Sequence, residues 1–224
     1  MRIAIHQSQY IPWIPYFIKI ARADVFVIMD NVQYQKNGVQ NRNKIRNKQG
    51  DFWLTIPVTG HMSDKINEKP IKGDVWQEKH WKSLAITYSK AEFWDEYSCE
   101  LEKMYAEPYR FLGEVNYRFL QFVFGRLDIN TKIVKLSDLE VAGSKSELVL
   151  EICKKLGAST YISGVGAKSY IDEVNFVNND IKIEYLKSIP PIYKQFNGEF
   201  IPGLSVLDML FNVQSKTIKD CLRG

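Results

Sequence analysis

The chain of 224 residues is predicted to fold as a single α/β domain, an open and mainly parallel sheet with a helical segment inserted at 76–126. Three observations predict this. Two short, continuously apolar runs, Ile3 to Ile5 and Val25 to Met29, have the character of strands buried on both faces. Between them Ile14, Phe17, Ile18 and Ala21 recur at helical spacing, with Lys19 and Arg22 on the opposite side, so strand, helix and strand fit into about thirty residues, the size of a parallel crossover unit. A second alternating section follows after residue 130. Together they give an open, mainly parallel, Rossmann-like sheet.

The remaining elements follow in order. Residues 35–51 are polar and basic, and Phe52 to Val58 returns to a strand pattern ended by Pro57 and Gly60. Residues 60–75 mix Gly, Pro, Ser, Asp and Asn with charge of both signs, which predicts a long mobile loop. The helical segment 76–126 is punctuated near Lys90 and Pro108, and Leu112, Val115, Phe119, Phe122 and Val123 form the apolar stripe of its last helix. Thr131 to Lys135 and Thr160 to Ser163 are strands around a helix over Ser144–Leu156. Ser144 and Glu147 have capping-box spacing there, and Gly157 is the left-handed stop. Lys182 to Leu186 is a further strand and Ser205 to Phe211 a terminal helix.

Composition narrows the function classes. With 45% apolar and 25% charged residues the chain has the make-up of a globular protein large enough for one sizeable core. A formal charge of +4 favours an anionic small molecule or a nucleotide over a nucleic acid, which calls for a concentrated basic stripe. Cys99, Cys153 and Cys221 are far apart, predicting neither a disulfide framework nor a metal site. No apolar run is long enough for a bilayer, so the expectation is a cytoplasmic protein without membrane insertion.

Polar residues gather where the first two strands end, which is where open α/β sheets place ligands. His6 stands with Gln7, Gln9, Tyr10, Trp13 and Tyr16 in a turn stiffened by Pro12 and Pro15. An imidazole there can serve as a general base, or be a buried ring donating to a carbonyl. Asp30 can orient His6 or bind a hydroxyl. Gln33, Tyr34, Lys36, Asn41 and Arg42 follow with amide and guanidinium groups for a sugar, carboxylate or phosphate. Arg42, Lys44, Arg46 and Lys48 alternate as one face of a strand; Lys44, Arg46 and Lys48 read as a solvated edge and Arg42 as a ligand contact. Lys79 and His80, on one helix with Trp76, can meet an anion or supply a second acid–base group, or be the wet and core sides of an ordinary helix. Gly164 and Gly166 lie after a strand in Ser-Gly-Val-Gly-Ala-Lys-Ser-Tyr170, an incomplete phosphate loop or a tight turn. Tyr193, Gln195 and Asp208 can close the pocket, and a carboxylate on so apolar a helix needs a partner.

Taken together, His6-Gln7, Tyr10, Pro12-Trp13, Tyr16-Phe17, Ala23-Asp24, Asp30, Val32-Gln33-Tyr34, Gln40-Asn41-Arg42, Lys79-His80, Tyr161-Ile162-Ser163-Gly164, Tyr193, Gln195 and Leu204 to Asn212 resemble the WbqC-like family over nearly the full length. Ser8, Pro15 and Val213-Gln214 depart from its pattern, and Pro15 reshapes the entry to the first helix. The resemblance implies an enzyme of bacterial surface-polysaccharide (O-antigen) biosynthesis that attaches an acyl or aminoacyl group, such as glycine, to an amino sugar. Within it His6, Asp30 and His80 would be catalytic, and the donor an acyl thioester, including one on an acyl carrier protein, or an acid with ATP. The opening unit is also similar to the first strand–helix–strand of nucleotidylyl-transferring enzymes related to pantothenate synthetase, without their His-x-Gly-His signature.

Overall fold

In a computed structural model, which describes residues 1–187 and 189–223, five parallel strands form the central sheet in the order β5-β2-β1-β6-β7. They are β1 (Arg2–Gln7), β2 (Val25–Met29), β5 (Lys132–Lys135), β6 (Thr160–Gly164) and β7 (Lys182–Leu186). The chain steps outward from β1 through β2 to β5, then returns across β1 to lay down β6 and β7. The order therefore reverses between β1 and β6, and the loops leaving these two strands diverge to opposite sides of the sheet.

Strand alternation divides the core in two. Ile3, Ile5, Val25, Val27 and Tyr161 pack on one face with α5 (Lys145–Lys155), the short α6 (Glu173–Val177) and the turn before it. Ala4, Phe26, Ile28 and Ile162 pack on the other. There they meet α1 (Ile14–Ala21), α4 (Leu112–Leu127), α7 (Val206–Asn212) and α8 (Ser215–Arg223). Burial on both faces is why β2 is apolar throughout, and β1 over Ile3–Ile5, rather than at every second position.

The segment between β2 and β5 departs from the expected plan. Residues 42–55 form an antiparallel hairpin, β3 (Arg42–Asn47) and β4 (Gly50–Thr55), apart from the main sheet. It is followed by α2 (Val75–Tyr88) and α3 (Trp94–Ala106), the excursion proper. The last helix of the expected insertion, α4, is the crossover that returns the chain to β5 and packs its stripe with Phe26 and Ile28. Residues 60–75 are tied down rather than loose. Ile66 is fully buried, Ile71 N–H donates to the Arg110 carbonyl, and Lys69 Nζ donates to the His61 carbonyl at 2.6 Å. Gly113 lets this stretch touch α4, since a Cβ there would stand 2.7 Å from Asn67 Cα.

Two end signals read differently in three dimensions. Ser144 makes no side-chain cap to α5; Lys145 begins the helix with a φ of +48°, which carries the Ser144 side chain off the capping position. Ser205 does cap α7, accepting from the Leu207 N–H, but α7 is not terminal. α8 follows, seated on the core by Ile218 and Leu222. Among the described residues no helix is long and apolar enough to cross a membrane.

Candidate functional site

The reversal between β1 and β6 opens a cleft of about 910 Å³. Its walls are the ends of β1 and β6, the Trp13–Lys19 side of α1, Asn31 to Gln35 after β2, and the start of α5 at Gly143–Lys145. Of the sequence-predicted residues it gathers His6, Gln7, Trp13, Gln33, Gly164, Gly166 and Tyr170. It adds Lys19, Asn31, Gln35, Ser144, Lys145 and Ser163, none of which the sequence marked as a site residue. Among the described residues no Asp or Glu lines it.

His6 ends β1 with its ring edge-on to Tyr16, centroids 4.9 Å apart. Its Nδ1 lies 3.2 Å from the Gln7 carbonyl oxygen, which can only accept, and 3.3 Å from the Gln9 amide nitrogen, which can only donate; the shorter contact assigns the proton to Nδ1, and the Gln9 contact is then no hydrogen bond. Nε2 then carries the free lone pair. Burial, helped by the positive charge of Lys19, pulls the imidazole down from 6.5 to about 3, while the bond to Gln7 opposes the shift. His6 is therefore neutral at physiological pH. Gln7 Oε1 accepts from Gln40 at 2.9 Å, which holds the turn against the hairpin. Asn43 Nδ2 donates to the carbonyls of Tyr10 and Ile11, at 3.3 and 2.8 Å. Ile11 has a φ of +37°, a region a β-branched residue seldom occupies, and this clamp holds it there.

Gly164 and Gly166 have no positive φ, and a Cβ on either would meet nothing within 4 Å. Neither backbone conformation nor packing within the protein calls for glycine. What glycine does here is leave the wall of the cleft open to close approach.

The expected Asp30–His6 pair is not made. Asp30 ends the neighbouring strand and accepts from Ser137, its N–H at 3.0 Å and its hydroxyl at 2.7 Å. It lines a second cleft, of about 460 Å³, with Gln9, Asn67, Glu114, Arg118, Gln121, Lys135 and Asp138. Tyr16 lines both clefts.

His80 is also elsewhere, buried among Tyr10, Trp76 and Tyr105. Its Nε2 donates to the Thr55 carbonyl at 3.2 Å, so Nδ1 accepts from the Tyr10 hydroxyl at 2.9 Å, which in turn accepts from Tyr105 at 2.6 Å. Desolvation lowers His80 to about 4, and Tyr10 is pushed well up by its own burial. This chain of bonds ties the first turn to α2 and α3; it has no opening for a substrate in either cleft. Lys79, on the outer side of α2, and Lys36 are exposed to solvent.

Tyr34 is buried with Lys69 Nζ over its ring, and Asn41 donates to the Ile56 carbonyl at 2.8 Å. Arg42 lies over Trp53 at 4.3 Å and donates to the Asn37 carbonyl. These three residues secure the hairpin and the loop before it.

Asp208 finds the partners that its burial demanded: the Tyr88 and Tyr193 hydroxyls each donate to it at 2.7 Å. Its desolvation raises its pKa, against the pull of the two phenols and of Arg46. Arg46, only 5% exposed, is no solvated edge residue. It donates to Gln195 Oε1 at 2.9 Å and to the carbonyls of Asn197 and Glu199, so β3 and the 193–201 stretch close over one buried cation. Tyr193, Gln195 and Asp208 thus form a strut joining the hairpin to α7, and none of them lines either cleft. Among the described residues no three His, Cys, Asp or Glu side chains converge on a metal-sized position.

The chain is 38% identical over 216 residues, 95% of its length, to Rv1507c, an uncharacterised protein of Mycobacterium tuberculosis, of which the match covers 94%. No solved structure matches it. Since the model of the WbqC-like protein family matches residues 7–220, which begins one residue after His6 and takes in the rest of its turn, both glycines of the β6 loop and the Asp208 helix, the chain belongs to the WbqC-like protein family.

Proposed function

We propose that the protein is a cytoplasmic transferase of surface-polysaccharide biosynthesis. It would attach an acyl or aminoacyl group, such as glycyl, to the amine of an amino sugar or sugar nucleotide. The observation that carries this reading is His6, with no hydrogen bond to its Nε2 among the described residues, in the lining of a cleft at the sheet's reversal that is large enough for a nucleotide-sized ligand and has no carboxylate among its described lining residues. In the transfer the acceptor nitrogen attacks the donor carbonyl carbon, its proton passes to His6 Nε2, and the bond to the thiol or phosphate leaving group breaks as His6 returns that proton. A neutral imidazole can take a proton, whereas a charged one cannot. His6 is a weak base in the empty cleft; an arriving anion strengthens it, since a nearby negative charge favours the imidazolium. Gln7, Gln33 and Asn31 supply amides for sugar hydroxyls, and Trp13 and Tyr170 supply flat walls.

The open approach at Gly164 and Gly166 also suits the phosphates of ATP, which favours as a second reading ATP-dependent activation of a free acid. Incubation with amino-sugar nucleotides and an acyl thioester, with ATP added or withheld, separates the two. A mass gain without ATP supports transfer, and pyrophosphate or ADP release coupled to the gain supports activation. Sugar-nucleotide binding with no product under either condition would contradict both and leave a non-catalytic binding protein.

A further inference from the structure

Lys19 is a buried cation with no ion pair among the described residues. The sequence places it on the outer side of α1, yet it is only 7% exposed, because that short helix lies between the sheet and α8 with its Lys19 side toward the end of β1. Its Nζ donates to the Ile5 carbonyl at 3.0 Å, and no carboxylate lies within ion-pair distance among the described residues. An ammonium has three donors, and here one is used. A buried cation is ordinarily paired, because leaving it unpaired costs far more than the hydrogen bonds it makes return.

The surroundings supply no hidden partner. Lys19 lines the main cleft and also a small adjoining cavity, and Pro15 and Gly164 line both with it. The charged or titratable groups that share these two linings are His6 on β1, Tyr16 on α1 and Arg22 at its end, Lys145 on α5, Lys187 after β7 and Cys221 on α8, together with Tyr161 and Tyr170. None is an acid. Desolvation lowers the Lys19 amine from 10.5 to about 7, so near neutral pH the empty protein holds it on the edge of losing its charge.

We propose that Lys19 is the anion-binding residue of the cleft, and that a phosphate or diphosphate group of the ligand, docking along the open face of Gly164, provides the counter-charge that the protein omits. This rests on the reading of the cleft as the ligand site. Three consequences follow. Binding takes up a proton above neutral pH, because the phosphate holds Lys19 in its charged form. The anion's own charge offsets the repulsion between charged Lys19 and the His6 imidazolium, so the base is strengthened when the ligand is present. Removing the amine relieves the empty protein of an unpaired buried charge, so a Met in its place stabilises the fold while weakening binding.

The test uses the full chain and inorganic pyrophosphate, with uridine diphosphate as the larger probe. Titration calorimetry at pH 8 in HEPES and in Tris, whose ionisation heats differ, reads affinity and proton uptake together. The wild type is expected to bind with net proton uptake of up to one per site. Lys19→Met is expected to bind at least tenfold more weakly, with no uptake, and to melt at a higher temperature. Lys19→Gln repeats the test should the Met variant fold poorly. Equal affinity and equal uptake in the neutral variants would overturn the role of Lys19 and leave the cleft as the site. A wild type that binds neither probe would overturn the reading of the cleft itself.

Discussion

The cleft between β1 and β6 and the one between β2, β5 and α4 open at the same edge of the sheet and share Tyr16, but their charges are met differently. In the second, Asp30 is saturated by Ser137. There too Glu114 accepts the N–H groups of Arg110 and Phe111 at the start of α4, and Arg118 pairs with Glu107. Those groups spend their bonds holding the β5 loop and α4 in place. In the first, Lys19 has one carbonyl, His6 has a free nitrogen, and two glycines face open space. Asn67 Oδ1 in the second cleft is buried without a partner, so the contrast is one of charged and titratable groups: those paired within the chain belong to the scaffold, and those left unpaired beside an opening mark where a ligand completes them.

This contrast can be broken by experiment. The largest effect is expected from His6→Asn, which removes the base from the first cleft. Transfer should fall by roughly 10²–10⁴ with the fold intact, read as product mass per unit time against circular dichroism. Retention of wild-type rate would remove His6 from the chemistry. Next comes Asp208→Ala in the buried strut, where two phenols lose their acceptor. Urea unfolding should show a loss of roughly 2–4 kcal/mol, while pyrophosphate affinity stays unchanged. A change in affinity without a change in stability would move Asp208 into the site.

The pH dependence of stability sharpens the same comparison. Lys19 has a folded-state value near 7 against 10.5 unfolded, so between those limits the unfolded chain holds more protons. Stability should therefore rise as pH climbs from 7 towards 10, and the advantage of Lys19→Met over wild type should narrow across that range. His6 and His80, lowered to about 3 and about 4, act lower on the scale; their contribution is lost as pH falls from 6.5 through those values. A gap between wild type and Lys19→Met that is constant from pH 7 to 10 would show that Lys19 keeps its ordinary proton affinity. The smallest effects belong to the outside and to the second cleft. Lys79→Ala and Asp138→Asn should leave stability within about 0.5 kcal/mol and pyrophosphate affinity unaltered.

What was legible in the sequence followed from local pattern. The apolar runs at 3–5 and 25–29 and the spacing of Ile14, Phe17 and Ile18 report burial on both faces and a helix between, and these are properties of neighbouring residues. The position of the cleft was legible for the same reason, since His6, Gln7 and Gly164 lie at strand ends. Partnership across the chain was not. Asp208 showed that a partner was required without naming Tyr88, 120 residues away. Arg46 alternated with Arg42 and Lys44 like an edge residue, because nothing nearby in sequence reveals that the 193–201 stretch folds over it. Lys19 was placed on the wet side because alternation on an eight-residue helix does not say how many faces are covered. Its signal was indirect: apolar residues at 14, 17, 18, 20 and 21 leave that helix little outer surface.

The most direct test of the account is a map of amide chemical-shift changes when uridine diphosphate is titrated into the isotope-labelled chain. The account predicts changes confined to the β1–β6 cleft, strongest at His6, Lys19, Gly164 and Gly166, with the residues around Asp30 and Ser137 silent. Changes centred on Asp30, Ser137 and Asp138, or none at saturating nucleotide, would contradict it.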